Sequence, residues 1–539
     1  MYLYDTSILS SIVIENTIPG QAFDMISWEG LPLEIRLVVL KELMQDGCSL
    51  ADFATVSREW QEIIEAHNFS RIKLTSARLV DCGQMLHRNR SLVRYIWLCL
   101  ELQEYDCTES TPPKPEMLKM SNINGTLITK GILNLFTTLS VWEPGSSLLL
   151  DISVYSPSDS EHWFKYLNFE PDVDFDMFDR NQHTKTSMPI RPTVHHHEWI
   201  APTQNSIAPF NAIEKVFEGI FYGEPFDNEE QEIQWWQQLP LVPVVTGILL
   251  RQQTRRRWKP TTLRRMFALL PRLQEVHYEP WREWFDGLQT CIDRSSKLLF
   301  ESLSCAGLQR LIIFENFDQT YPASFRYRCS PTRIPSPSFG RALANASFTL
   351  EHLSISFMVE ASHFFRAREL SWKWPKLTWL ALPSRVFIPQ EFSWNWPNLT
   401  WLALTSRLLI PQEHPVELNY MLQAAAAAAL NMPNLETMEI WNGGKGFAML
   451  FRYQRGKQGR PAVITCKGTW ELNLGPLVIQ AWDSVSLKDC GEGIVIIKEL
   501  LDISDDIKSH GDAIHYLELS KPVVRPISLR QIQMQPTIL

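Results

Sequence analysis

The residue types that could do chemistry in this 539-residue chain are few, and their spacing serves no reaction. His195-His196-His197-Glu198 offers four metal-ligating side chains in a row. Adjacent residues do not converge on one ion as a helical i, i+4 pair does, so a polar loop is expected there. Asp172, Asp174 and Asp176 imitate the opening of a calcium loop. Met177 stands where that loop needs Gly, and His183 where it needs a bidentate Glu, which rejects calcium. Gly443-Gly444-Lys445-Gly446 lacks the spacing of a phosphate loop and its following Ser or Thr. No Gly-x-Ser-x-Gly elbow occurs, and no Cys/His pair carries a nucleophile signature. The nine cysteines show no Cys-x-x-Cys spacing, so neither zinc nor a redox pair is indicated. The strongest charged feature is Arg251 to Lys259 with Arg264 and Arg265. It could hold a phosphate or an acidic segment. A solvated helix face, or ion pairs to acids such as Glu275, Glu279 and Glu283, is the expected arrangement. The chain is thus expected to bind rather than catalyse, without metal or cofactor.

What positions a binding surface is clearest near the N-terminus. Residues 1–26 read as a poorly ordered lead. Pro32 suits a first helical turn, where its missing N–H costs nothing, and Glu34 meets the positive end of the helix dipole. Leu33, Leu37, Leu40 and Met44 follow helical spacing, and Ile35, Val39 and Leu43 form an adjacent stripe. Such a helix must bury more than one face. Gly47 is expected to stop it, and Ser49 with Asp52 resembles a capping box. Leu50, Phe53 and Val56 supply the next apolar face, and Ser57 can cap a third helix carrying Trp60, Ile63 and Ile64. A unit of this size has a small core and gains from a partner.

Composition bounds the rest. Hydrophobic content of 45% with 21% charged residues describes a globular chain. A net charge of −9 argues against a general nucleic-acid binder. Scattered, odd-numbered cysteines in a long chain fit a reducing compartment. The missing basic lead speaks against a secretory signal, and no apolar run is long enough to span a bilayer. A cytoplasmic or nuclear protein is expected, with no membrane partner.

Beyond the N-terminal unit the chain alternates strand and helix patterns. Strands are expected at Leu92–Leu98 and Leu148–Val154, helices at Ile123–Leu139 and Ile213–Leu239, and a long loop at about 157–209. The phrase apolar-x-x-apolar-x-apolar recurs at Leu273/Val276/Tyr278, Leu308/Leu311/Ile313, Leu350/Leu353/Ile355, Leu377/Leu380/Leu382, Leu399/Leu402/Leu404, Leu435/Met438/Ile440 and Ile514/Leu517/Leu519. It resembles the strand signature of leucine-rich repeats, with irregular spacing. Residues 369–390 and 391–412 are near-copies, identical at 16 of 22 positions including Ser384 and Ser406. A tandem duplication explains this, and a solenoid tolerates it because each repeat touches only its neighbours.

The N-terminal residues Leu31-Pro32-Leu33-Glu34-Ile35-Arg36 and Leu50 to Trp60 (LADFATVSREW) together resemble an F-box. Further segments extend the resemblance: RQQTRRRW at 251–258, YEPWREW at 278–284, FENF at 314–317, MEIWNG at 438–443, KSHGDAIH at 508–515 and RPISL at 525–529. Together they are similar to filamentous-fungal F-box proteins with a large C-terminal domain of unknown function. The resemblance implies a substrate-recognition subunit of an SCF-type ubiquitin ligase. It would bind the Skp-type adaptor, and through it the cullin-based ligase, by Leu31, Pro32, Ile35, Leu40, Val56 and Trp60. A client protein of unknown identity would bind the C-terminal region. The alternative is a non-catalytic binding or scaffold protein whose F-box-like segment is structural or acts outside a ligase.

The expected fold is α/β: a three-helix F-box over 27–75, a mixed region over 76–250, and an irregular leucine-rich-repeat-like α/β solenoid over 251–539. Adjacent parallel strands from the two copies would set Leu380 and Leu402 toward the core and Trp379 and Trp401 in a ladder on the other face. Exposed positions on that face, namely Glu351, His352, Ser354, Trp379, Trp401, Thr437 and Glu439, would form the client surface.

Overall fold

The computed structural model describes residues 28–45, 50, 52–105, 115–145, 147–173, 199–200, 203–204, 208–223, 225–303, 307–324, 333, 335–366, 395–411, 415–457 and 459–535. The chain divides into two units, Met1–Phe69 and Ser70–Leu539. In the first, helix α1 (Leu33–Gln45) and helix α2 (Arg58–Ser70) are separated by a 3-10 turn at Phe53–Thr55. Ser57 starts α2 as expected, its Oγ accepting from Trp60 N at 3.3 Å. Gly47 and Ser49 lie outside the described residues.

The second unit is mixed α/β. Its elements alternate along the chain: β1 (Arg71–Thr75), α3 (Ser76–Met85), β2 (Tyr95–Glu101), α4 (Pro115–Ser140), β3 (Leu148–Tyr155), α5 (Phe210–Val216), α6 (Glu229–Gln238), β4 (Val245–Leu250), α7 (Pro260–Ala268), β5 (Glu275–Tyr278), α8 (Asp286–Leu303) and β6 (Arg310–Phe314). They continue as α9 (Pro337–Ala346), β7 (His352–Ser356), α10 (Ala361–Phe365), β8 (Trp401–Thr405), α11 (Pro415–Ala429), β9 (Thr437–Gly444), β10 (Phe447–Gln454), β11 (Ala462–Gly468), α12 (Pro476–Cys490), β12 (Ile494–Leu500), α13 (His510–Leu517) and α14 (Pro526–Gln533). The single expected helix over 213–239 is thus two, α5 and α6.

These twelve strands join one sheet, in the order of the sequence, and two short pairs stand apart from it: Trp199–Ile200 with Thr203–Gln204, and Gly219–Ile220 with Arg257–Trp258. Strands β1 to β9 are parallel, β10 is antiparallel to both neighbours, and β12 runs parallel to β11. Crossovers of one hand that always advance in one direction put their helices on one face. Accordingly α7 to α12 pack each on the next. Cross-strand register lines up the apolar phrase: Val276, Leu311, Leu353, Leu402 and Met438 form one row, and Tyr278, Ile313, Ile355, Leu404 and Ile440 the next. Both rows are buried.

One expectation is corrected. The phrase Ile514/Leu517/Leu519 is not a strand, because a capping box of Ser509 and Asp512 starts helix α13 there. Strand β8, from the second copy, pairs with β7 and β9. The expected Trp379–Trp401 ladder involves residues 369–390, which lie outside the described residues.

The face opposite the helices is also closed. After β12 the chain turns back, and α13 and α14 cover that face of the C-terminal strands. Phe314, Trp401, Ala403, Trp441 and Leu450 from the sheet share a core with Ile507, Ala513, Leu517, Val523, Val524 and Ile532 from the returning arm. His510 anchors it. Its ring stacks on Phe317 at 4.6 Å, and Nε2 donates to Asn316 Oδ1 at 2.7 Å.

Burial pushes the His510 imidazole from its ordinary 6.5 down to about 3. The folded state holds it neutral, while the unfolded chain takes up a proton below 6.5. Its contribution is therefore complete above pH 6.5 and is lost as pH falls toward 3. Denaturation midpoints at pH 7 and pH 5 should show stability falling on acidification, with the drop reduced in His510→Gln. An unchanged drop in that variant would contradict the assignment.

Candidate functional site

Two surfaces compete for a role. The first is α1. Of its apolar side chains only Leu40 is buried, while Leu33, Ile35, Leu37, Val38 and Val39 are 43–56% exposed. Val56, beyond the 3-10 turn, is 62% exposed. Apolar residues this exposed on one small unit make it a candidate interaction surface. The residues that hold the unit are separate. Trp60 is half-buried, with Trp28 at 4.9 Å and Phe53 at 6.2 Å. Arg36 pairs with Glu59 at 2.6 Å, and Trp28 Nε1 donates to the same carboxylate at 3.2 Å.

The six residues expected to bind an adaptor therefore divide. Pro32, Ile35 and Val56 are exposed and Leu31 is half-buried. Leu40 belongs to the unit's interior, which corrects its expected role as a contact: a helix of two stripes needs some residues to hold its own fold. Trp60, like Leu31, is half-buried.

The second surface, the sheet face expected to take a client, is mostly interior. Trp401, Ser354 and Glu439 are buried and Glu351, His352 and Thr437 half-buried. The C-terminal arm packs on Trp401 and reaches Glu439 through Ser520 and His352 through Lys521. Trp401 Nε1 donates to Glu439 Oε2 at 3.1 Å, and Glu439 Oε1 accepts from Arg452 Nε at 2.7 Å and Ser520 N at 2.8 Å. Alternation along β8 is as expected, with Leu402 and Leu404 toward the helices, but both faces are covered.

The arm is fixed by a polar network that sequence reasoning missed. Glu279, just past β5, accepts from Gln252 N at 3.1 Å, from Arg525 N at 2.7 Å and from Ser528 Oγ. Burial pushes its carboxyl up, and these hydrogen bonds pull it back. Gln252 Nε2 donates to Ser528 O at 2.9 Å, and Trp281 Nε1 to Gln252 O at 2.8 Å. Asn316 joins Gln252 to His510. Five of the six C-terminal segments that carry the family resemblance meet in this network. The sixth, with Trp441, lies in the adjoining core.

The basic cluster divides: Arg264 and Arg265 lie on helix α7, with Arg264 exposed as a solvated helix face requires, while Arg251–Arg256 are buried and not α-helical. Gln252–Thr254 forms a 3-10 turn and Arg255 is left-handed at φ 57°. Arg251 meets Asp151 at 2.6 Å, Arg256 meets Asp159 at 3.1 Å and Glu218 at 3.0 Å, and Arg257 meets Glu283. The ion-pair alternative thus describes Arg257, while Arg251, Arg256 and Arg265 use acids farther away in sequence. Arg255 is ringed by Trp281 at 4.2 Å, Phe164 at 5.0 Å, Tyr166 at 5.3 Å and Phe217 and Tyr321 at 5.5 Å. Its guanidinium donates to the Tyr166 and Tyr321 hydroxyls. The concavity at this place, lined by Arg251, Arg256, Tyr278, Glu279, Trp281 and Glu315, has only water-sized space. Among the described residues no three His, Cys, Asp or Glu side chains are grouped to hold a metal. No helix among them is long and apolar enough to cross a membrane.

Residues 302–393 and 386–525 match a family of unknown function, DUF6546. The match covers less than half of the chain, and its two stretches meet inside the duplicated phrase. That is where a one-copy pattern must break if one copy was inserted. No curated protein matches.

Replacing Trp401 by Ser should cost roughly 3–5 kcal/mol, as truncation of a buried Trp does. Chemical denaturation measures it. A loss under about 1 kcal/mol would put Trp401 on an open surface instead.

Proposed function

We propose that the chain is a substrate-recognition subunit of an SCF-type ubiquitin ligase, with the unit around residues 28–69 acting as an F-box on the Skp-type adaptor. The observation that supports this reading most is the apolar exposure of α1. Five large side chains on one short helix, plus Val56, are what a docking helix needs and what a self-sufficient bundle avoids. The order of residues from Leu31 to Trp60 agrees with the F-box pattern.

The larger unit is read as a modified leucine-rich-repeat-like solenoid. Sequential parallel strands with one helix layer support that reading. Its open face is filled by the C-terminal arm, so the client is proposed to bind elsewhere on this unit. Half-buried Glu351, His352 and Thr437, at the N-terminal ends of their strands, remain candidates at the rim. A client bound this way is proposed for ubiquitin-dependent degradation in the cytoplasm or nucleus.

Interfaces of this kind lose about 2 kcal/mol or more at each central apolar anchor. Ile35→Asp combined with Val56→Asp should abolish co-purification with the Skp-type adaptor. Both side chains are exposed, so the melting temperature should not move. Undiminished co-purification would remove the ligase assignment.

A further inference from the structure

The two edges of the twelve-stranded sheet are built differently. At one edge, β1 carries Arg71 and Lys73, whose charged groups lie over the rings of Tyr95 and Trp97 at 4.0 and 4.5 Å. Charge at an edge is a standard guard against further strand pairing. The other edge is β12, with the sequence Ile494-Val495-Ile496-Ile497-Lys498-Glu499-Leu500. It pairs along its whole length with β11, and no described strand lies on its outer side. Val495 and Ile497 are each 42% exposed and Leu500 is 69% exposed. The strand has no Pro and no bulge. Its one Lys is drawn aside, with Lys498 Nζ donating to Glu471 at 2.7 Å and to Asn473 at 2.9 Å. A solenoid end of this sort ordinarily carries a polar cap.

We infer that β12 pairs antiparallel with β12 of a second copy of this chain, continuing the sheet across a two-fold axis. The outer backbone groups of β12 require an extended strand as occupant. The strand's own sequence is complementary to itself. With the axis at Ile496, Ile496 opposes Ile496, Val495 opposes Ile497 in both directions, and Ile494 opposes the stem of Lys498. Directly opposed residues share a face, so these pairs bury their apolar surface together. Glu492 then lies diagonal to Lys498 of the other copy, an opposite charge within reach. A register centred on Ile497 would instead set the two Lys498 side chains diagonal to each other. The isologous geometry closes at two copies, which leaves no free edge to propagate. A single strand pair is a small interface, so the association should depend on concentration in the micromolar range.

Sedimentation velocity of the full chain across roughly 1–100 μM, the span in which such small interfaces form, should show a monomer–dimer equilibrium. Ile497→Lys should shift it at least tenfold toward monomer without changing the melting temperature. Ile496→Cys, under mild oxidation, should give a disulfide-linked dimer, because only the register centred there brings that residue against itself. A wild-type chain that stays monomeric throughout overturns the proposal and leaves the edge to an extended segment of another protein. A dimer that survives Ile497→Lys, with no cross-link in Ile496→Cys, overturns it as well.

Discussion

Burial of the charged run Arg251–Arg257 is the constraint on which the larger unit depends. A guanidinium taken out of water must meet a fixed partner or the fold loses several kcal/mol. Arg251 meets Asp151 within β3, Arg256 meets Asp159 in the 3-10 turn just past β3, and Arg255 meets a ring of aromatics. Such contacts have few geometric solutions, so they fix how the β3, β4 and β5 ends lie together. The backbone of the run is then free to offer Gln252 to Glu279, Ser528 and Asn316. Thus one desolvated segment, made of the most hydrophilic residue type, aligns the strand ends and receives the C-terminal arm.

The arm changes what the sheet can do. In an open solenoid the face opposite the helices is the natural binding surface. Here it holds Trp401 and Trp441, whose size suits a core between two layers, and Glu439, a carboxylate satisfied by Arg452, Ser520 and Trp401. The helices and the arm leave the rim and the edges as surface. The N-terminal unit shows the opposite arrangement, a small interior around Leu40 and Ile64 with large apolar side chains of α1 left exposed.

Much of the strand framework was legible, because the apolar phrase has the period of a buried parallel strand. Six of its seven occurrences can be compared with the structure, and five contain a strand, β5 to β9. The sixth, Ile514/Leu517/Leu519, has the same pattern, but Ser509 and Asp512 commit it to a helix. The closed face was not legible, since Trp401 and Ser354 alternate correctly on the strand whether or not something covers them. What covers them is held through contacts such as Arg525 N to Glu279 and His510 to Asn316, far apart in sequence. The fate of the arginine run was hidden for the same reason. Asp151 and Asp159 lie about a hundred residues before it, and only the parallel crossover brings them together. A clue did exist: the segments carrying the family resemblance contain Gln252, Glu279, Asn316, His510 and Ser528, polar residues set among aromatics, a composition of buried networks rather than of surface.

Native-state hydrogen exchange measured along the chain bears most directly on the closed face. If the C-terminal arm is part of the core, amides of α13 and α14 exchange only with those of β7 to β9, at the free energy of global unfolding. An arm that exchanges orders of magnitude faster while those strands stay protected would contradict the account, because the sheet face would then open on its own.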